Sequence, residues 1–218
     1  KKVDIIKYIK YNYFSNNLKR NKNVFFYPMK GAKLEIDCDA EIELHGNLTL
    51  GNNKVTGSKR ETYLILGKGA KLIIKGDVLL NYGVHLQVHS NAEISIGKSI
   101  INTDSVIIAE KGIEIGNDVL IGRYVTIFDS DFHPIYDKNG NRTNSARKVV
   151  IGNHVWIGTK ATILKGTKIK DGAIVSADTL VGGIVKENAL FSSPPGQMYG
   201  KVQWGNVYNK LNNNEKIH

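Results

Sequence analysis

A histidine within a polar stretch is the residue of this chain best suited to proton transfer. His133 lies in FDSDFHPIYDKNGNRTNSARKVV at 128–150, which also contains an Asn-Gly turn signal. An imidazole titrates near neutral pH, so it can take a proton from a hydroxyl group during nucleophilic attack. Asp129 and Asp131 are near enough in sequence to hold the other ring nitrogen, and Asp131 is the better candidate. On sequence alone, a lone histidine of this kind is more often a plain surface residue.

The elements that must hold this stretch form a repeat of six residues. Aliphatic residues recur at every sixth position without a miss, at Ile151, Ile157, Ile163, Ile169, Val175 and Val181, and upstream at Ile115, Ile121 and Ile127. Small or β-branched residues stand two positions before the later members, at Val155, Ala161, Thr167, Ala173 and Thr179. This period places one inward side chain on each short flat strand, and three strands make one triangular coil of about 18 residues.

The first half of the chain carries a looser version of the same pattern. Four segments resemble one another: GAKLEID at 31–37, GAKLIIK at 69–75, NAEISIG at 91–97 and KGIEIGN at 111–117. Each combines a small turn with alternating aliphatics, which is typical of a short strand. Their spacings of 38, 22 and 20 residues are irregular but lie near multiples of one coil. The sequence therefore predicts an all-β solenoid.

The chain divides into three parts. Residues 1–30 form a basic and aromatic extension, residues 31–190 form the solenoid with an inserted loop at 129–149, and residues 191–218 form a C-terminal loop and tail. Ile6, Ile9 and Tyr13 share helical spacing, which predicts a short helix in the extension. We expect this helix to dock on its own domain or on a neighbouring subunit, with a membrane surface as the alternative.

Composition and charge exclude several classes of protein. The chain has 218 residues, of which 41% are hydrophobic, which is enough for a core and excludes disorder. Its single cysteine, Cys38, excludes a disulfide framework and a Cys-based zinc cluster, and is expected to be buried and inert. The net charge of +10 favours anionic partners, such as nucleic acid, a phosphorylated cofactor, an acidic polymer or a membrane, although a solvated surface is an equal alternative. No nucleic-acid motif and no metal-ligand spacing are found, and the cytoplasm is the default compartment.

The stretch VVIGNHVWIGTKATILKGTKIKDGAIVSA at 149–177 and the His-Pro of the insertion resemble the hexapeptide-repeat acyltransferases. The resemblance is tight over about 94–181, and is closest to the bacterial polysaccharide and polysialic acid O-acetyltransferases. It implies a left-handed parallel β-helix, acetyl-CoA as acyl donor without a metal, and a homotrimer whose active sites lie between neighbouring β-helices. The ends of the coils depart from the family pattern at 177–183 and 193–197, where groups that help to hold CoA are lost.

The resemblance also implies roles for individual residues. His133 matches the family's catalytic base, and Trp156 matches a tryptophan beside the thioester. The backbones at Thr159 and Ala177 match positions that bind the pantetheine arm. Three further groups are weaker candidates: Lys165 and Lys201 for the CoA phosphates, Asn102 for an active-site asparagine, and Tyr136 and Arg142 for contacts with the acceptor.

Three functions follow from these observations. The first is an acetyl-CoA-dependent O-acetyltransferase that modifies a hydroxyl of a bacterial capsular or lipopolysaccharide-type glycan, with His133 as base, in the cytoplasm or at the inner face of the membrane. The second is an acyltransferase for a small molecule, such as an amino sugar, serine or an antibiotic. The third is a non-catalytic solenoid that serves as a binding module.

Overall fold

The computed structural model describes residues 2–192 and, as a backbone strand, residues 197–201. These residues form three sheets of eight, nine and seven strands, which are the three faces of a left-handed parallel β-helix. From the first strand to the twenty-third, successive strands pass from face to face, so that each full coil adds one strand to every sheet, and the last described strand pairs antiparallel with the one before it. The expected all-β solenoid is confirmed.

Strands are numbered in chain order. Sheet 1 contains β1 (Leu18–Arg20), β4 (Glu41–Leu44), β7 (Lys71–Ile74), β10 (Glu93–Ile96), β13 (Gly112–Ile115), β16 (Val149–Ile151), β19 (Lys168–Ile169) and β22 (Ile184–Val185). Sheet 2 contains β2 (Phe26–Pro28), β5 (Leu48–Asn52), β8 (Val78–Asn81), β11 (Ser99–Ile101), β14 (Val119–Ile121), β17 (Trp156–Ile157), β20 (Ile174–Val175), β23 (Ala189–Ser192) and β24 (Gln197–Lys201). Sheet 3 contains β3 (Ala32–Ile36), β6 (Thr62–Leu66), β9 (His85–Val88), β12 (Val106–Ala109), β15 (Thr126–Phe128), β18 (Thr162–Ile163) and β21 (Leu180–Val181).

The six-residue repeat forms the core of the later coils. Residues 18 apart are register partners in parallel pairs: Ile151 with Ile169, Ile157 with Val175, and Ile163 with Val181. Each of these side chains is at most 1% exposed, and so are the small residues two positions before them. Adjacent coils therefore bury one continuous aliphatic column, and the edge-to-edge hydrogen bonds between coils fix its register.

The four similar segments of the first half do not all lie on one face. The segments at 69–75, 91–97 and 111–117 supply β7, β10 and β13, which are consecutive strands of sheet 1. The segment at 31–37 supplies β3, which belongs to sheet 3. A turn followed by alternating aliphatics suits any face of a triangular coil, so likeness of sequence identifies a strand but not its sheet.

The N-terminal extension is partly helical and partly solenoid. Helix α1 (Ile5–Ile9) continues into a π-helical turn (Lys10–Phe14), and the sheets begin at β1, before the boundary at residue 31 that the sequence suggested. Strands β1 and β2 are only three residues long, so they are too short to show a period. The face predicted from helical spacing is not the packed one, because Ile6 is 82% exposed whereas Tyr11 and Asn12 are buried.

Cys38 is exposed, so the expectation that it is buried was wrong. It lies in the turn after β3, between Asp37 and Asp39. The negative charges of Asp39 and Asp37 raise the pKa of the thiol, because they disfavour the thiolate. No helix among the described residues is long and apolar enough to cross a membrane.

Candidate active site

A buried aspartate anchors the inserted loop, which runs from the end of β15 to the start of β16 at one edge of the solenoid. We call this edge, where sheet 3 passes into sheet 1, edge 3/1. The Asp129 side chain is fully buried, and its carboxylate accepts hydrogen bonds at 2.5–2.8 Å from three backbone N–H groups of the preceding coil, those of Glu110, Lys111 and Gly112. The carbonyl of Asp129 accepts from the Arg147 N–H at 2.8 Å, which closes the base of the loop.

Replacement of Asp129 by Asn is expected to loosen this anchor, because an amide group would then face backbone N–H donors. A hydrogen bond to a charged group contributes roughly 1.5–3 kcal/mol, so Tm should fall by about 5–10 °C in thermal unfolding. The matched control is Asp178→Asn, at an exposed turn where φ of 53° suits both residue types. Equal shifts in the two variants, or an unchanged Tm for Asp129→Asn, would contradict the anchoring role.

An aromatic cluster holds the segment next to the candidate base. Phe132 stacks on His89 with ring centroids 5.4 Å apart, and its ring meets Phe128 edge-on at 5.3 Å. Its N–H donates to the Ser130 hydroxyl at 2.9 Å, and its φ is 59°, which is unusual for a bulky residue. Such a backbone persists only where its surroundings determine it, so the position of His133 is fixed from its N-terminal side.

Asn144 fixes the same segment from the other side. Its side chain is 7% exposed and crosses the base of the loop. Its oxygen accepts from the Ile135 N–H at 2.7 Å, and its amide nitrogen donates at 2.8 Å to both the His133 carbonyl and the Asp131 carboxylate. The backbone on both sides of the His-Pro motif is therefore hydrogen-bonded to one buried amide.

The imidazole of His133 is exposed, and no described residue forms a hydrogen bond with either ring nitrogen. Asp131 does not orient it, in contrast to the prediction. The Asp131 carboxylate instead forms an ion pair with Lys165 and accepts from Asn144, and the hydrogen bond from Lys165 lowers its pKa. The structure therefore gives Asp131 a contact that shapes the loop, and leaves the imidazole open to solvent.

The predicted acceptor contacts of the loop do lie with His133 on edge 3/1. Tyr136 and Arg142 form an antiparallel bridge in the projecting part of the loop. Tyr136 is 61% exposed, whereas the Arg142 guanidinium lies 3.6 Å from the Glu110 carboxylate. The same loop thus presents an aromatic side chain, a partly neutralised cation and the imidazole of His133.

The remaining predicted residues lie on the outer face of sheet 2 or on the edge where sheet 2 passes into sheet 3, which we call edge 2/3. Trp156 is on the outer face of β17, between its register partners Leu120 and Ile174, and is 41% exposed. Thr159 and Ala177 occupy exposed turns of successive coils, and the Asp178 N–H donates to the Thr159 carbonyl at 2.9 Å. The predicted stacking of Thr159 on Ala177 agrees with this geometry.

Asn102 also lies on edge 2/3, but its amide is used by the solenoid. Its oxygen accepts from the Asn81 amide at 2.9 Å, and its nitrogen donates to the Ile121 carbonyl at 2.9 Å. These contacts link three successive coils. They give Asn102 a structural role, and do not point its amide to an acceptor as the resemblance implied.

The predicted site residues therefore form two groups, separated by the width of sheet 3. From residue 125, at one end of a sheet 3 strand, to residue 129 at the other is about 13 Å at 3.3 Å per residue. Lys165 belongs to edge 3/1 and forms an ion pair with Asp131, whereas Thr159 and Ala177 lie on edge 2/3. The side chain of Lys201 lies outside the described residues. In the described part of one chain, the strands of sheet 3 lie between the loop that carries His133 and the strand that carries Trp156.

Sequence reasoning missed two residues of the site. Asn144 is eleven positions after His133, and His89 is 44 positions before His133, which is more than two coils. Neither residue therefore belongs to a recognisable motif around His133. Only the closure of the loop on the edge of the solenoid brings them to the His-Pro segment. The pair Phe128 and Phe132 is the one signal in the sequence for this cluster. It indicates an aromatic contact near His133, but it does not identify His89 as part of that contact.

Comparisons with known proteins agree with this architecture. Residues 148–183 match the family model of the bacterial transferase hexapeptide, six repeats. Polysialic acid O-acetyltransferase of Neisseria meningitidis is 38% identical over 126 residues, or 56% of this chain and 57% of that protein. The putative lipopolysaccharide biosynthesis O-acetyl transferase WbbJ of Escherichia coli K12 is 31% identical over 129 residues, or 55% of this chain and 66% of that protein. The solved structure of the polysialic acid O-acetyltransferase OatWY has a TM-score of 0.65 and 25% identity, and covers 90% of this chain and 94% of that chain.

The alignments thus span 57% and 66% of the length of these two curated relatives. The hexapeptide match falls on the coils after the inserted loop, which include Trp156, Thr159 and Ala177. The likeness to OatWY extends over nearly the whole solenoid. The chain carries the bacterial transferase hexapeptide repeat in a left-handed β-helix, and it is similar to the hexapeptide-repeat O-acetyltransferases.

Proposed function

We propose that the chain is an acetyl-CoA-dependent O-acetyltransferase that modifies a hydroxyl of a bacterial surface glycan, with His133 as general base. The observation that carries this proposal is an exposed imidazole, without a bonding partner among the described residues, on a loop that Asp129, Phe132 and Asn144 hold in place. The names of the relatives, which include polysialic acid and lipopolysaccharide O-acetyltransferases, support the reaction and the class of acceptor.

In the proposed reaction, His133 carries the proton from the sugar hydroxyl to the leaving thiolate. The sugar hydroxyl attacks the thioester carbon while His133 takes its proton, because the hydroxyl is too weakly acidic to ionise near neutral pH. The tetrahedral oxyanion requires hydrogen-bond donors, which backbone N–H groups in the turns of a β-helix can supply. Collapse of this intermediate breaks the carbon–sulfur bond, and the protonated His133 returns the proton to the CoA thiolate.

We propose that the site is completed by a neighbouring chain of a homotrimer. His133, Tyr136 and Arg142 project from edge 3/1, whereas Thr159 and Ala177 lie on edge 2/3 and Trp156 lies on the outer face of sheet 2, two residues before that edge. A three-fold arrangement in which edge 3/1 of one chain faces edge 2/3 of the next would bring the two groups together. The pantetheine arm would then run along Thr159 and Ala177 with the thioester beside Trp156. Lys165, from the facing edge 3/1, and Lys201 are the proposed contacts for the CoA phosphates.

We place the enzyme in the cytoplasm, at the inner face of the membrane. Acetyl-CoA is a cytoplasmic donor, and the precursors of surface glycans are assembled on that side. The net charge of +10 suits both the CoA phosphates and an anionic acceptor.

Release of thiol from acetyl-CoA in the presence of a panel of acceptors tests this function. The panel contains acidic oligosaccharides, neutral oligosaccharides, amino sugars, serine and an antibiotic. We expect release with an oligosaccharide, and loss of that release in His133→Ala. Release only with an amine would instead identify a small-molecule acyltransferase. If neither thiol release nor CoA binding is observed, the non-catalytic solenoid is the function that remains.

Light scattering tests the proposed trimer. It should give three times the chain mass of 24.2 kDa, and a monomer would contradict the shared site.

A further inference from the structure

The first fourteen residues expose an unusual amount of apolar surface. Five large side chains of α1 and the π-helical turn are at least 44% exposed: Ile5 60%, Ile6 82%, Ile9 44%, Tyr13 58% and Phe14 78%. Ile5, Ile9 and Tyr13 recur every four residues, and Ile6 is three residues before Ile9, so these four lie on one side of the helical segment. Isolated exposed apolar residues are ordinary, but a contiguous group of this size marks an interaction surface.

The helical segment is held rigidly on the solenoid by its opposite face. Asp4 caps the start of α1, and the Lys7 ammonium donates to the Ala32 carbonyl at 2.7 Å. Tyr8 stacks on Tyr27 at 5.6 Å, and the buried Asn12 amide donates to the Phe26 carbonyl at 2.8 Å. The apolar face is therefore presented by a preformed element, so a partner would not need to order it on binding.

A basic cavity adjoins the start of this helix. It has a volume of about 620 Å³, and three lysines line it: Lys2, Lys30 and Lys54. None of the described residues that line it is acidic. Lys2 and Lys30 are tied together by a backbone hydrogen bond of 3.0 Å, and Lys2 is three residues before Ile5. The cavity can receive an anionic group at the point where the apolar face begins.

Charge decides which partner fits this surface. Residues 1–30 contain eight Lys and Arg residues and one acidic residue, so this segment carries seven of the ten net positive charges of the chain. A second copy of the chain would offer another cationic surface. A bilayer with anionic lipids offers negative headgroups beside an apolar layer, which matches both halves of the surface.

We propose that the N-terminal segment binds the enzyme to an anionic phospholipid membrane. The exposed apolar side chains of residues 5–14, from Ile5 to Phe14, enter the boundary between headgroups and acyl chains, and the lysine-lined cavity receives a lipid phosphate. The N-terminal segment would be the part of the chain that contacts the inner face of the membrane. This binding does not depend on acetyl transfer. The chain would thus work beside membrane-bound acceptors.

Sedimentation of the full chain with vesicles tests this proposal. The vesicles contain phosphatidylcholine alone, or phosphatidylcholine with roughly one third phosphatidylglycerol. We expect partition into the anionic vesicles only. The partition should fall more than tenfold in the double variant Ile6→Ser, Phe14→Ser, and about fivefold for each lysine removed by Lys2→Gln, Lys30→Gln or Lys54→Gln. Ile184→Ser, at a residue 61% exposed near the opposite end of the solenoid, is the matched control and should bind like the native chain.

Three outcomes would overturn the proposal. One is equal partition into neutral and anionic vesicles, and another is undiminished binding of the Ile6→Ser, Phe14→Ser variant. The third is a change of oligomeric mass in that variant, because the helix would then be a contact between subunits. Thiol release with a dissolved acceptor and no vesicles should be unaffected in the same variant, so failure of this proposal is distinguishable from failure of the enzymatic one.

Discussion

Replacement of His133 by Ala is expected to lower kcat for acetyl transfer by a factor on the order of 10³, which is typical for loss of a general base. The KM for acetyl-CoA should change little, because the proposed contacts for the pantetheine arm lie on edge 2/3 of the neighbouring chain. The loop should keep its structure, since its anchors are Asp129, Phe132 and Asn144 and not the imidazole. Steady-state kinetics of thiol release, together with a CoA titration, measure both effects.

His45→Ala is the matched control for this variant. The His45 side chain is 48% exposed and lies near the N-terminal end of the solenoid, beside Glu43. It should have the kcat of the native chain. Native activity in His133→Ala would exclude His133 as the general base. Loss of CoA binding in the same variant would show that the loop takes part in donor binding.

Mixed trimers are expected to recover activity from two inactive variants. His133→Ala lacks the base, and Trp156→Ala lacks the side chain proposed to lie beside the thioester, so each alone should lose most of its activity. If each site takes His133 from one chain and Trp156 from the next, equal amounts of the two variants give about one quarter of sites with both native residues. Co-refolded mixtures should therefore show about a quarter of native kcat per chain, well above either parent.

A second pair of variants serves as the control for this experiment. His133 and Asn144 lie on the same loop of the same chain, so mixtures of His133→Ala with Asn144→Ala never form a site with both native residues. This mixture should stay at the level of its parents. If the mixture of the His133 and Trp156 variants also shows no more activity than its parents, the two-chain site is contradicted.

The solenoid could be predicted from the sequence because its physical cause is local and repeated. Each inward aliphatic, from Ile151 to Val181, obeys the same packing constraint as the residue 18 positions away, so the period is visible without a structure. The first coils are less regular, because long turns such as the one that follows β5 vary the number of residues in each coil. The spacing between the segments at 31–37 and 69–75 therefore does not show which face of the solenoid each one occupies.

The contacts of the candidate site could not be predicted, because they depend on where a long loop closes. Sequence proximity favoured Asp131 as the partner of His133, but Lys165, which lies one coil further along the solenoid, takes its carboxylate. Asn102 has the residue type of an active-site asparagine, yet the coils on both sides of it use its amide. Spacing along the chain carries no information on these competing partners.

Identification of the reaction product tests directly whether the chain transfers an acetyl group to a sugar oxygen. The chain would be incubated with acetyl-CoA labelled with ¹³C in the acetyl carbonyl and with the acceptor found in the panel, and the product examined by NMR. We expect an ester on a sugar oxygen, formed by the native chain and absent with His133→Ala. An amide on a sugar nitrogen, or an ester formed equally well by His133→Ala, would contradict it.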